Sequence, residues 1–299
     1  MLKYFLLLGI MLTSLSPVFS QEDEPAILFD DFSYTDTDEL SANGWIIRTE
    51  EGWPGVPGAI WNAEAVTIED HADEPDNRVV QMVSTTDGTT TTQTQLCHAR
   101  KFYEGTYASR VHFTNEPRTG EDGDQIVQTF YMISPLEYDL APNYSEMDFE
   151  YLPNGGWGMP TNVLFSTTWE SFRPEPNWVA DNTSDWIEDE FSGWHTLVIQ
   201  VANEEVKYYV DGELFGEHGD EYYPEEPMSF NYNLWFIRGG QINSDELREY
   251  VEQIDWAFYV ADTILSPEEV EAQVAALRED ETSFIDTVPA TDLESPCNF

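Results

Sequence analysis

The sequence predicts an all-β protein, an antiparallel sandwich or jelly roll, on three observations. From Ile27 to Val260 the chain is a succession of short β-type runs cut by clusters of Gly, Pro, Asn and Asp. The runs over 78–84, 107–113, 126–133, 147–152, 162–168, 196–202, 206–210 and 229–237 are the clearest, and many alternate apolar with polar residues. Ala108-Ser109-Arg110-Val111-His112-Phe113 shows the alternation, as a strand with one buried and one wetter face does. No helix-period segment interrupts this stretch, which argues against parallel βαβ units.

Taken in order, residues 1–20 have the layout of a secretory signal peptide. Lys3 carries the charge, the apolar run over 5–12 is too short to span a bilayer, and Val18-Phe19-Ser20 precedes Gln21. Export is therefore expected, to the extracellular space or the periplasm. No Cys follows the run to carry a lipid anchor. Residues 21–262 form the β domain. Within it Asp211-Gly212 stands between Val206–Val210 and Leu214-Phe215, a tight-hairpin signal.

Residues 263–299 are expected to be a C-terminal helix and an extended tail. Ser266-Pro267-Glu268-Glu269 supplies an N-cap, a proline at the first helical position and acids in the first turn. Val270, Val274 and Leu277 then recur at helical spacing over 266–280.

Charge narrows the partners. Asp and Glu number 58 against 12 Lys and Arg, a formal charge of −46, so nucleic acid and anionic membrane surfaces are repelled. Aromatics at 14% argue for a folded core under an acidic shell and against disorder. We hypothesise adaptation to high salt, where counterions screen the self-repulsion. The thermal midpoint should then rise from low to multimolar salt, and a flat or falling trend would refute it. The two cysteines, Cys97 and Cys297, fit either one disulfide pinning the tail to the body or two free thiols.

The most informative segment is Ser145-Glu146-Met147-Asp148-Phe149-Glu150-Tyr151-Leu152. On a strand, Glu146, Asp148 and Glu150 share one face and Met147, Phe149 and Tyr151 the other. Three acids in a row over an apolar back repel one another; the bland reading is a surface stripe in an acidic protein. Glycoside hydrolysis wants this arrangement. A retaining enzyme needs two carboxyl groups about 5–5.5 Å apart, one as nucleophile and one as acid/base. On a flat strand the i and i+4 Cα atoms lie roughly 13 Å apart, so a bent strand and long Glu side chains must close the gap.

Glu-x-Asp-x-Glu on a strand resembles the catalytic motif of glycoside hydrolase family 16. Residues 102–111, Phe-Tyr-Glu-Gly-Thr-Tyr-Ala-Ser-Arg-Val, resemble the family's aromatic-Gly-aromatic strand, and Thr129-Phe130-Tyr131-Met132 its Phe-rich strand. Gly193-Trp194-His195-Thr196, the Val-Asp-Gly ending at 210–212, Pro227-Met228, Asn233-Leu234-Trp235 and Ile254-Asp255-Trp256 follow in the family's order.

The resemblance implies a jelly roll of two curved antiparallel sheets with a glycan cleft across the concave face. It implies Glu146 as nucleophile, Asp148 as assisting acid and Glu150 as general acid/base. The motif lacks the bulge residue of laminarinases, agarases and carrageenases, so mixed-linkage β-1,3-1,4-glucan is the favoured polysaccharide. Other β-glycans, transglycosylation and a non-catalytic glycan-binding module are the alternatives. Arg100, Asn233 and Trp235 fall where substrate-contacting residues are expected, and Tyr131 and Tyr144 where aromatic platforms occur. His98, Ile133, Ser166 and Thr168 depart from the lichenase residues at positions expected in the cleft. No cofactor is required, although Asp255 corresponds to a position that binds a structural calcium in some members. A monomer is expected. Arg48, remote in sequence from the motif, should tolerate replacement by alanine with activity intact.

Overall fold

A computed structural model describes residues 25–174 and 177–297. The expected signal segment, 1–20, lies outside the described residues. The strands are β1 (Ile27–Asp30), β2 (Trp45–Ile47), β3 (Ile60–Trp61), β4 (Val66–Asp70), β5 (Arg78–Thr86), β6 (Thr91–His98), β7 (Gly105–Phe113), β8 (Ile126–Ile133) and β9 (Glu146–Leu152). There follow β10 (Val163–Arg173), β11 (Val179–Ile187), β12 (Gly193–Ala202), β13 (Glu205–Val210), β14 (Glu213–Gly219), β15 (Ser229–Phe236), β16 (Arg248–Ala261) and β17 (Phe284–Asp286). The helices are a short α1 (Asp38–Ala42) and α2 (Pro267–Glu279).

All eight runs singled out in the sequence are strands. The expected hairpin joins β13 to β14, with Asp211 at φ 50° and Gly212 at φ 87°. Positive φ at both turn residues is the type I′ geometry whose twist matches the flanking strands.

One sheet runs β2-β6-β15-β8-β9-β10-β11. The other runs β4-β5-β16-β7-β12-β13-β14, with β1 on the far half of β16 and β17 on β1. The start of β6 also pairs with β5, so this strand joins the two sheets. Pairing is antiparallel except at the two-residue β3, which runs parallel to β6. This is the jelly roll that the alternation and the missing helices implied.

Between the sheets lies one large apolar core, to which β9 contributes Met147, Phe149 and Tyr151, all fully buried. Burying such side chains is worth roughly 1.5–3 kcal/mol each. That fixes which face of β9 turns inward, and hence where its acids point.

The expected N-cap is present and is part of a full capping box: Ser266 Oγ accepts from Glu269 N, and the Glu269 carboxylate accepts from Ser266 N at 2.8 Å. Val270 and Val274 seat α2 on the outer face of the second sheet, against Ala108, Val198, Trp256 and Phe258. A Cys97–Cys297 disulfide, with Cα atoms 5.8 Å apart, draws the tail back onto β6. Of the two readings of the cysteines, pairing is the one realised.

Candidate active site

Strand β9 sits between β8 and β10 with no shift of register, so the acidic motif is regular and unbulged. Glu146 lies opposite Ile133 and Trp169, Asp148 opposite Tyr131 and Thr167, and Glu150 opposite Thr129 and Phe165. Directly opposed residues share a face. The acids therefore stand on the outer face of the sheet, away from the core, among Thr129, Tyr131, Phe165, Thr167 and Trp169.

Their surroundings are unequal. The Tyr144 hydroxyl donates to Glu146 Oε2, and Trp169 Nε1 donates to Asp148 Oδ2 at 2.9 Å. No described residue donates to the Glu150 carboxyl. Burial raises the Glu146 pKa to about 7, with the hydrogen bonds from Tyr144 and Asp148 pulling the other way. Burial raises Glu150 to about 8, and repulsion from Glu146 adds to it. Burial, then repulsion from Glu146 and Glu150, holds Asp148 well above the carboxylate range. Asp148 is accordingly the proton-holding member, Glu146 the one equipped to carry charge, and Glu150 the one equipped to carry a proton.

Loss of the Tyr144 hydroxyl should move the activity profile in a stated direction. Ionised Glu146 loses a hydrogen bond, so its pKa rises and the acid limb of kcat/KM moves to higher pH. A hydrogen bond to a charged group is worth about 1.5–3 kcal/mol, so Tyr144→Phe should shift that limb by about 1–2 units. Because Glu150 lies near 8, the profile should narrow from its acid side and its maximum fall. An unmoved acid limb would contradict this assignment of Glu146.

Tyr131 and Tyr144 do not serve as open platforms. They are 6% and 2% exposed, and both work through their hydroxyls. Tyr131 accepts from Gln95 Nε2 at 2.9 Å and Asn233 Nδ2 at 3.2 Å, while Thr129 Oγ1 donates to Asn233 Oδ1 at 2.7 Å. Asn233 thus orients Tyr131 beside the acids. Trp235 lies on the same face at the Glu150 end, with Trp61, Val127, Leu152 and Val163, and its ring is 6.1 Å from exposed Trp157.

Arg100 is in an ion pair with Glu226 and also donates to Pro227 O at 2.7 Å. Glu226 takes a further bond from Asn143, and its loop docks through Glu225 N on Ser145 Oγ at 2.9 Å. Arg100 therefore braces the approach to β9, and its charge is already matched.

Four expected cleft positions are redistributed. Only Ile133 shares the face of the acids. His98 is buried against Trp45, and Thr168 bonds Tyr208 and His218 on the core side. Ser166 shares that side of β10 with Thr168, whereas Phe165, Thr167 and Trp169 take the cleft face.

Arg48 is also not the remote residue expected. It is buried, donates to Gln95 Oε1 at 2.8 Å and lies 4.0 Å over the Trp61 ring. Through Gln95 it is one step from Tyr131, so it is unsuitable as an inert control. Only the fold brings it there.

The calcium expectation at Asp255 meets a different arrangement. Its buried carboxylate takes Arg110 at 2.9 Å, Arg278 at 2.8 Å and Asn77 at 2.8 Å. His71 and Glu74 come close enough to form a ligand trio with it, but Arg110 also bonds Glu74 at 2.9 Å. Two guanidinium groups thus bring positive charge to the Asp255 carboxylate, while the buried His71 Nε2 beside it has no hydrogen-bond partner among the described residues.

Residues 59–257 match a family model described as Glycosyl hydrolases family 16. Among solved structures, the fold is similar to a Bacillus licheniformis beta-glucanase, with TM-score 0.55, 14% identity, and 78% of this chain and 97% of that one covered. A laminarinase from Flavobacterium sp. UMI-01 gives TM-score 0.55, 18% identity, and coverage of 78% and 98%. The kappa-carrageenase from Pseudoalteromonas carrageenovora, in complex with a kappa-carrageenan oligotetrasaccharide, gives 0.54, 15%, and coverage of 83% and 99%. At these identities the likeness carries the fold alone. No curated protein matches the chain at the level of sequence.

Proposed function

The chain belongs to glycoside hydrolase family 16, and on that premise we propose that it is a secreted, retaining endo-β-glycanase. The observation that carries the reading is the inequality of Glu146 and Glu150 on one face of one strand. Glu146, supported by Tyr144 and by the proton on Asp148, attacks the anomeric carbon as an anion. Glu150, held protonated by burial and repulsion, gives its proton to the leaving oxygen. The glycosyl ester on Glu146 is then opened by a water that Glu150 deprotonates. Asp148, tied to Trp169, keeps the proton that prevents two adjacent anions from forming.

Mixed-linkage β-1,3-1,4-glucan is the favoured substrate, supported by the unbulged motif and by Asn233 and Trp235 on the cleft face. The carboxyl groups suffice for the chemistry, so no cofactor is invoked, and a single chain holds the whole site. Secretion is supported by the leader-like N-terminus and by the disulfide, which persists in oxidising compartments.

Oligosaccharide release from lichenan, laminarin, xyloglucan and agarose tests the assignment. Lichenan should be cut fastest. Release from laminarin, xyloglucan or agarose alone would overturn the mixed-linkage assignment. Binding without turnover would favour a glycan-binding module, and products longer than the substrate would indicate transglycosylation.

A further inference from the structure

The segment joining β2 to β3 crosses the outer face of the first sheet, from Gln93 of β6 to Phe172 of β10. On the β6 side it is tied down four times: Gln93 Nε2 donates to Pro54 O at 3.2 Å, Val56 N to Gln93 Oε1 at 3.2 Å, Arg48 Nη1 to Trp53 O at 3.1 Å and Trp61 Nε1 to Gly52 O at 3.1 Å. Gly55 is required there. Its φ is +101°, and a Cβ would come within 2.2 Å of Gln93 Oε1.

From this anchorage the Trp53 ring reaches β10. It stacks on Phe172 at 5.9 Å and lies 6.2 Å from Trp178, which itself stands 5.6 Å from Phe172. Strands β15, β8 and β9 lie between β6 and β10. Four strand spacings amount to roughly 19 Å on a flat sheet, so the contact closes over a curved one. Phe172 is also 6.0 Å from Trp169, the residue opposite Glu146, and 5.2 Å from Tyr144, the residue that donates to Glu146. The crossing therefore passes beside the nucleophile end of the catalytic strand.

Two properties mark the crossing as a working part. Trp53 is 58% and Trp178 46% exposed, so neither ring is a core anchor and their contact can open at small cost. The β6 end, by contrast, is held by buried amides that cannot be left unpaired cheaply.

We propose that residues 52–56 form a strap over the cleft, latched by Trp53 on Phe172 and Trp178, and that the latch selects unbranched β-glycan chains over substituted ones. The proposal rests on the glycanase reading and narrows its substrate class. The exposed Trp53 and Trp178 rings wall the cleft beside its Glu146 end, so an unbranched chain passes alongside them whereas a branch carried there meets the Trp53 ring. The selection is steric, and the carboxyl groups take no part in it.

The test uses matched β-glucan oligosaccharides with and without one glycosyl branch, together with a chromogenic aryl oligosaccharide as a gauge of chemistry. Trp53→Ala and Trp178→Ala should each raise the branched-to-unbranched ratio of kcat/KM by about tenfold, a typical scale for steric discrimination in a pocket. The aryl rate reports any change in the chemical step, which the ratio for the matched pair cancels, and Trp53→Phe should restore most of the original ratio. A ratio unchanged within about twofold in both alanine variants would overturn the strap, whether or not the aryl rate falls. Affinity electrophoresis with the same matched pair reads the selection without turnover. A wild type that binds with this preference but cleaves nothing would fail the glycanase reading and leave the strap standing.

Discussion

Glu146→Gly and Glu150→Gly are each expected to lower turnover of a natural β-glycan by about 10²–10⁴-fold or more. Azide should then separate their roles. With an activated aryl glycoside, the cavity left in Glu146→Gly lets azide attack the anomeric carbon from the side the carboxylate occupied. One displacement inverts the centre and yields the α-glycosyl azide. In Glu150→Gly the nucleophile remains, so the glycosyl ester still forms with a leaving group that needs no proton. Azide then opens that ester in a second displacement and yields the β-glycosyl azide. The asymmetry of the site underlies the expectation, since Glu146 is hydrogen-bonded by Tyr144 and Glu150 by no described residue. Swapped anomers would exchange the two roles. Undiminished activity in both variants would return the motif to a surface stripe.

Removing the disulfide should give the largest change in stability. Cys97 and Cys297 are 200 residues apart in sequence, so the cross-link constrains most of the unfolded chain. The chain-entropy argument puts such a loop at about 5 kcal/mol, and measured losses commonly run to about 2–4 kcal/mol. The Cys97→Ser, Cys297→Ser double variant should therefore lose about 2–5 kcal/mol, with the thermal midpoint down by about 5–15 °C. Other anchors of the tail remain: β17 pairs with β1, and Lys101 Nζ donates to Asp286 Oδ2 at 2.5 Å and to Val288 O at 3.2 Å. Thr291 Oγ1 donates to Arg100 O at 2.6 Å, Ser295 Oγ donates to His98 O at 3.2 Å, and Val288 is buried. Wild type treated with reductant should show the same fall. A midpoint equal to that of the oxidised wild type would show that the cross-link contributes nothing to stability.

Much of this was legible in the residues. Alternation named the strands, Asp211-Gly212 the hairpin, and Ser266 with Glu269 the helix cap, because each is settled by neighbours within a few positions. The acids of β9 were legible for the same reason, since Met147, Phe149 and Tyr151 force them to the opposite face. The side presented by β10 was not. Reading Ser166 and Thr168 into the cleft errs by one residue, and in a strand one residue exchanges the faces. The bulge between Trp169 and Ser171 moves the parity again and brings Phe172 round to Trp169.

By itself the sequence determined the fold class and the placing of Glu146, Asp148 and Glu150 on one face of one strand, since these follow from period-2 patterning, while their proposed catalytic roles come from the family resemblance. Only the tertiary structure decided what surrounds that trio. Tyr144 against Glu146, Trp169 against Asp148, Arg48 behind Tyr131, two arginines on Asp255 and Trp53 across the cleft all join residues through strand order and curvature. Periodicity says which way a side chain points. What it meets is set by which strands become neighbours, and that is a property of the whole sheet.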